Sequence, residues 1–152
     1  MDKGMSMSEK EFEEFLQKQI PITNDIILRV EKFTPSKVRL GVELKTNVNN
    51  RLLAFGGSIN TVMSVCGWAL VFSNIISHDA DAHIVIQKSS IEYFQPIDSD
   101  FVVECELINN EKRERFFKTY KQLGKARLEL QVVIKDHQEV MVRFRGLYVV
   151  FK

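Results

Sequence analysis

Between Leu52 and Ser77 the chain runs for twenty-six residues, LLAFGGSINTVMSVCGWALVFSNIIS, without a charged side chain, although 27% of the whole sequence is charged. Something must hide this run from water. A bilayer accepts about 20 predominantly apolar residues as a helix, and the run is long enough. It carries, however, Asn60, Thr61, Asn74 and four serines, no basic cluster crowds either end, and no Tyr and Trp pair marks two interfaces. The other solvent is a protein interior, where a helix apolar on nearly all sides lies against a sheet that wraps it. A chain of 152 residues with 45% hydrophobic content is one ordinary domain able to bury a sizeable core, so the interior is the better reading.

The formal net charge of +1 gives no general attraction to nucleic acid, and neither nucleic acid nor a membrane is expected as a partner. Cys66 and Cys105 sit in apolar surroundings without C-x-x-C spacing, as reduced thiols of a cytosolic core do. The opening MDKGMSMSEKEFEEF has no apolar stretch of a secretory signal. A cytoplasmic protein is expected, a single domain over residues 1–152 with a disordered tail over 1–7.

Ser8 followed by Glu11 reads as a capping box, and Phe12, Phe15, Leu16 and Gln19 mark one face of a short helix ended by Pro21. Alternation then predicts strands over Ile26 to Thr34 and Lys37 to Lys45, with Val38, Leu40, Val42 and Leu44 on one face. The uncharged helix follows from about Gly57 to Ile76. Four β-rich runs come next: Ala82 to Pro96, Asp100 to Ile108, Lys125 to Lys135 and Val140 to Phe151. Between the second and third, Asn109 to Gly124 is a short helix or an excursion of the hairpin. Strands that alternate this regularly favour an antiparallel sheet packed on one face. The order helix, two strands, long helix, four strands therefore predicts an α+β hot-dog fold, about six strands wrapped around one central helix. Cystatin-like cones also grip one helix in a curved sheet, but place it earlier in the chain.

The segment Asn49-Asn50-Arg51-Leu52-Leu53-Ala54-Phe55-Gly56-Gly57-Ser58 resembles the N-x-x-G-x-x-H-G-G signature that opens the central helix of hot-dog acyl-thioesterases. Ile91-Glu92-Tyr93-Phe94-Gln95-Pro96-Ile97 resembles the strand motif that follows it. With Cys66-Gly67-Trp68 behind the FGGS form, the chain is most similar to the YiiD C-terminal family of thioesterase domains, from about Ile20 to Lys152.

Two glycines at a helix start let the backbone approach a ligand, and the free N–H groups of the first turn suit a negative oxygen. The resemblance implies an oxyanion role most directly for the N–H of Gly56, with Gly57 beside it and Asn49 orienting water or the carbonyl. Taken alone, the glycine pair is equally a tight entry where helix meets sheet. Gly57, Asn60 and Ser64 share one side of the helix. They either face a pocket or are satisfied by backbone carbonyls within the helix. Ser64, in the catalytic set with Asn49, Gly56 and Gly57, is expected to line the same pocket, with Phe55, Ser58, Asn60 and Tyr93 as substrate contacts and Glu92 on the outer face of its strand.

The departures from the signature bear on catalysis. Active enzymes of this type carry Asp or Glu where Ser64 stands, Phe55 replaces the histidine, and Leu52 replaces the first glycine. Serine needs an adjacent base to act as a nucleophile, and the run contains no histidine. Cys66 lies mid-helix without a local histidine to ionise it, so core packing is the better reading. His78, Asp79, Asp81 and His83 superficially resemble metal ligands, but four polar residues after a helix end are more often a solvated turn. No metal and no cofactor is expected. Lys112 to Arg127 is strongly basic with interleaved aromatics. It is either a solvated face or, through Arg113, Arg115 and Lys118, a contact for the phosphates of coenzyme A or for an acidic acyl carrier protein.

The resulting expectation is an acyl-thioester hydrolase acting on acyl-CoA or acyl-carrier-protein thioesters. The alternative is a non-catalytic acyl-CoA or acyl-carrier-protein binding domain that has lost the carboxylate. By analogy with the hot-dog fold, a homodimer or dimer of dimers is expected, which would also cover a sheet edge.

Overall fold

The structure, a computed structural model, describes residues 6–152. The tail expected over 1–7 thus lies outside the described residues as far as residue 5, and Met7 packs against the core. Helix α1 (Glu9–Gln19) begins at the expected reciprocal cap: Glu11 N–H donates to Ser8 Oγ and Ser8 N–H to a Glu11 carboxylate oxygen, both at 3.2 Å. Its inner face carries Phe12 and Leu16, both fully buried. A five-residue helix α2 (Ile22–Ile26) follows Pro21. It takes the first residue of the strand expected from Ile26, because Ile27 turns the backbone into the left-handed region (φ 57°) and β1 (Leu28–Phe33) starts only after it.

Strands β2 (Lys37–Val42), β3 (His83–Tyr93), β4 (Phe101–Glu106), β5 (Lys125–Asp136) and β6 (Glu139–Phe151) complete one sheet in the order β1-β2-β4-β5-β6-β3, antiparallel at every pairing. The register follows from alternation, since a one-residue slip would turn every apolar side chain to water. Along β5 and β6 the facing pairs Ala126 and Val150, Leu128 and Tyr148, Val132 and Phe144, and Ile134 and Val142 are all buried. The concave face so formed wraps helix α3 (Gly56–Ile75), which makes this the expected hot-dog fold. Helix α4 (Asn110–Leu123) resolves the segment between β4 and β5 as a helix, capped by the Asn109 side chain and ended by Gly124 at φ 67°.

Thirteen of the twenty residues of α3 are buried. Its charge-free surface meets β2, β4, β5 and β6 inside, while Phe72 and Trp68 stack with each other and Phe72 with Phe12 and Phe15 of α1. Two polar side chains inside this contact donate to backbone, while Asn74 Oδ1 stays buried without a partner among the described residues. Ser73 Oγ donates to Leu70 O and Thr34 O, and Asn74 Nδ2 to Leu70 O and Pro35 O, so the helix end holds the β1–β2 turn. Tyr148 is the largest fully buried side chain and fills the closest approach of helix and sheet. A Cβ on Gly67 would overlap its ring and one on Gly146 would lie 2.8 Å from it, while its hydroxyl donates to Ser64 O at 2.8 Å. Gly67→Ala is therefore expected to destabilise the protein by about 1–3 kcal/mol through overpacking. In urea unfolding the midpoint falls while the slope is unchanged.

Candidate functional site

The entry to α3 is built by a loop that closes on itself. Asn47 is buried and its Nδ2 donates to Ile26 O and Glu43 O, while Phe55 N–H donates to Asn47 O at 2.7 Å and Ala54 N–H to Ile97 O at 2.8 Å. Inside the loop, Asn49 Oδ1 accepts from Arg51 N–H (2.8 Å) and Leu53 N–H (3.2 Å). The tight turn this imposes puts Leu52 in the left-handed region at φ 62°, at the position where the signature it resembles has glycine. Leu52 is 73% exposed, so nothing it packs against compensates that backbone.

Phe55, the residue before the helix, offers no side-chain cap. Among the described residues the first-turn N–H groups of Gly56, Gly57 and Ser58 have no hydrogen-bond partner. They stand at the positive end of the helix dipole. Beside them is a cavity of about 360 Å³, lined by Gly56, Asn49 and Tyr93 with Leu53, Ile59 and Phe94 as apolar wall. Tyr93 Oη donates to Gly56 O at 3.1 Å, and burial raises its pKa, which keeps the hydroxyl a proton donor at neutral pH. Glu92, the next residue back on β3, is exposed. No Asp, Glu or His lines the cavity. A carboxylate stands one hydrogen bond behind its wall, where lining residue Gln95 donates to Glu139 at 2.9 Å.

The other candidates fall elsewhere. Gly57 leaves room for the Phe55 ring, which folds back to where a Cβ would lie 2.6 Å away. Ser58 is half-buried in the first turn and Asn60 is exposed. Ser64 Oγ donates to Asn60 O at 2.9 Å and Thr61 Oγ1 to Gly57 O at 2.8 Å, so these hydroxyls bond back into the helix. Ser64 lines a separate, apolar cavity of about 160 Å³ with Val65, Trp68, Ile86 and Tyr148, and one chain does not bring it to Gly56. Cys66 is fully buried, and burial first, then Cys105, pushes its thiol well above the ordinary range, while burial raises Cys105 to about 12. Neither thiol is ionised at neutral pH.

Of the basic segment, Arg113 is taken up structurally, its Nη2 donating to Pro35 O (2.9 Å) and Leu107 O (2.8 Å), and Lys112 Nζ bonds Glu129 O. Arg115 and Lys118 are exposed, and none of Arg113, Arg115 and Lys118 lines the Gly56 cavity. The His78 to His83 cluster disperses: His78 packs on Phe117, Asp79 accepts from Tyr120 Oη at 2.5 Å, and His83 stacks on Phe151. Leu53, Ile59, Phe94 and Gln95 line the cavity without having been singled out in the sequence. Phe94 and Gln95 directly follow Tyr93, where the end of β3 before Pro96 was the available signal.

The chain matches the family described as "Putative thioesterase (yiiD_Cterm)" over residues 9–152. It belongs to that family. Among solved structures, a protein of unknown function from Chlorobaculum tepidum TLS shares 23% identity and a TM-score of 0.87, covering 95% of this chain and 94% of its own. A thioesterase described as putative from Shewanella oneidensis shares 24% identity and a TM-score of 0.78, over 95% and 97% of the two chains. A probable thioesterase from Pseudomonas aeruginosa shares 24% identity and a TM-score of 0.81, over 97% and 98%. At these identities the likeness is one of fold. None of the curated proteins matches the chain.

Within this family's fold, Leu52 keeps a conformation that costs a non-glycine residue about 1–2 kcal/mol. Leu52→Gly removes that cost and loses no packing, while it adds freedom to the unfolded chain. The net expectation is a gain of about 0.5–1 kcal/mol in denaturant unfolding, with the loop conformation unchanged.

Proposed function

We propose that the protein hydrolyses acyl thioesters carried on coenzyme A or on an acyl carrier protein, with the carbonyl bound at the first turn of α3. The observation that carries this reading is the unpaired N–H of Gly56, at the head of a first turn without a cap and in the lining of a cavity that Asn49 and Tyr93 share. Water adds to the thioester carbon, the carbonyl oxygen becomes an oxyanion, and the C–S bond breaks as that intermediate collapses. The departing thiolate takes up the proton the water has lost. A preorganised N–H stabilises such an oxyanion by about 3 kcal/mol. The Asn49 Nδ2 donors, free of partners among the described residues, orient water or the carbonyl, while its Oδ1 is held by the loop. Two buried reduced thiols fit a cytoplasmic protein.

A second reading is favoured by the absence of any carboxylate or imidazole from the cavity lining: a domain that binds acyl-CoA or acyl carrier protein without turning it over. Thiol release from a panel of acyl-CoAs separates the two. Hydrolysis is expected, and Asn49→Asp, which keeps the loop's acceptor and removes the donors, is expected to lower kcat/KM at least tenfold. Turnover indifferent to that change removes Asn49 from the site, and no turnover with any acyl-CoA or acyl-carrier-protein substrate leaves the binding domain.

The same reading includes a second copy of the chain. Strand β3 is an open edge eleven residues long, with Val85 (47%) and Ile86 (41%) exposed along it. Such an edge is covered by self-pairing in many sheets, giving a homodimer, or a dimer of dimers if a second face is used. Light scattering is expected to show at least twice the 17.6 kDa chain mass, and Ile86→Lys to shift it toward the single chain. A wild-type monomer at micromolar concentration would count against this assembly.

A further inference from the structure

At the opposite end of α3 from Gly56 lies a cavity of about 810 Å³ that shares no lining residue with the Gly56 cavity. Three lysines line it: Lys118 and Lys121, one turn apart on α4, and Lys152 at the end of β6. Among the described residues none of the three forms an ion pair. Lys152 is held in place, since its N–H donates to Gly124 O at 3.1 Å and its stem lies over Gly124, 3.6 Å from where a Cβ would stand. Asp79, the one side-chain carboxylate of the lining, accepts from Tyr120 Oη at 2.5 Å and Asp81 N–H at 3.1 Å, and its charge acts on Lys152, so the three lysines leave the cavity with a net charge of about +2. His78 and Phe117, with ring centroids 4.1 Å apart, add an aromatic wall.

A concave site with three unpaired ammonium groups beside an aromatic face suits a phosphorylated nucleotide better than a flat protein surface. Coenzyme A carries a diphosphate and a 3′-phosphate on adenosine. We propose that this cavity binds the nucleotide end of a coenzyme A thioester whose acyl end enters the Gly56 cavity of a second copy. The inference rests on the thioester reading above for the identity of that acyl end. Within one chain the two cavities stand at opposite ends of α3, about 30 Å apart at 1.5 Å per residue. Along the edge strand, the Gly56 cavity lies at the Tyr93 end of β3 and the lysine cavity near the His83 end, where His83 pairs with Phe151. Antiparallel pairing of β3 with its own copy about a two-fold axis near mid-strand sets the Tyr93 end of one chain beside the His83 end of the other. Each lysine cavity then serves the other chain's helix start.

The test is calorimetric binding of coenzyme A, 3′,5′-ADP, ATP and pantetheine to the full chain at low salt. Coenzyme A and 3′,5′-ADP are expected to bind at least tenfold more tightly than pantetheine, and to weaken at least tenfold in the combined Lys118→Ala, Lys121→Ala, Lys152→Ala variant. The wild-type affinity should fall with added salt more steeply than the variant's. Unchanged binding in the variant, coenzyme A no tighter than pantetheine, or binding only of an acyl carrier protein overturns the proposal. ATP as tight as coenzyme A, with no contribution from the pantetheine arm, makes the site one for free nucleotides and overturns it as well.

The cross-chain arrangement is read by tethering. A thiol introduced by Ser58→Cys attacks the coenzyme A sulfur of the coenzyme A–thiopyridyl disulfide, forming the new S–S bond and releasing thiopyridone. The native cysteines are buried and stay silent. In mixed dimers, the thiol on a lysine-substituted chain should label at least tenfold faster when its partner keeps the lysines. Labelling that follows the lysines of the same chain, or a chain that stays monomeric, overturns the arrangement. None of these readouts needs turnover. Binding and tethering without hydrolysis would remove the hydrolase reading alone, whereas hydrolysis with a KM indifferent to the lysines would remove this site alone.

Discussion

The burial of a charge-free helix in a curved sheet is the constraint from which the rest of the structure follows. Helix α3 carries no ionised group and buries thirteen of its twenty residues, so the strands facing it must present apolar side chains in one register, and Tyr148 sets how close they come by filling the space left at Gly67 and Gly146. A polar group in that contact must find a backbone partner or cost about 1–3 kcal/mol unsatisfied. Ser73 Oγ and Asn74 Nδ2 do so by donating to Leu70, Thr34 and Pro35, which makes the C-terminal half of the helix a clamp on the β1–β2 turn, and Asn74 Oδ1, buried without a partner among the described residues, is the cost of that clamp. The N-terminal turn is treated differently. It emerges from the sheet, has no capping side chain, and keeps its donors free beside a cavity. One end of the helix is thus tied down by hydrogen bonds, and the other keeps its donors free.

What could be read in the sequence was whatever rests on local chemistry or on period. The Ser8 and Glu11 cap needs only residues three apart, and the alternation of β5 and β6 declares which face is buried before any partner is known. The central helix was legible because twenty-six uncharged residues have few places to go. The entry loop was legible as a likeness of sequence, although its Leu52 departs from the pattern; only the backbone shows that the left-handed turn survives the loss of glycine. Features that depend on distant partners were not legible. Arg113 looked like a phosphate contact because nothing near it in the chain announces Pro35, seventy-eight residues away. The Gly57, Asn60 and Ser64 seam left two readings open for a physical reason, since the i, i+4 spacing that aligns polar side chains also lets a hydroxyl bond back to the preceding turn.

Position 64 ties these strands together. Its hydroxyl returns to Asn60 O, its carbonyl accepts from Tyr148, and its immediate surroundings are Val65, Trp68 and Ile86. The position is half-buried, with its neighbours in that small cavity apolar, and no basic side chain of this helix stands beside it. Serine suits such a position without an ion partner, because its hydroxyl is satisfied within the helix. On the hydrolase reading proposed above, with neither a carboxylate nor an imidazole lining the Gly56 cavity of one chain, positioning and the Gly56 N–H are what that cavity supplies. A scaffold of that kind gains most from holding its substrate at several points, because remote binding energy can then be used to orient the reacting carbonyl. The lack of charge along α3 therefore acts twice on that reading: it lets the helix lie inside the sheet, and it leaves the proposed site to draw on backbone donors and on a well-anchored substrate.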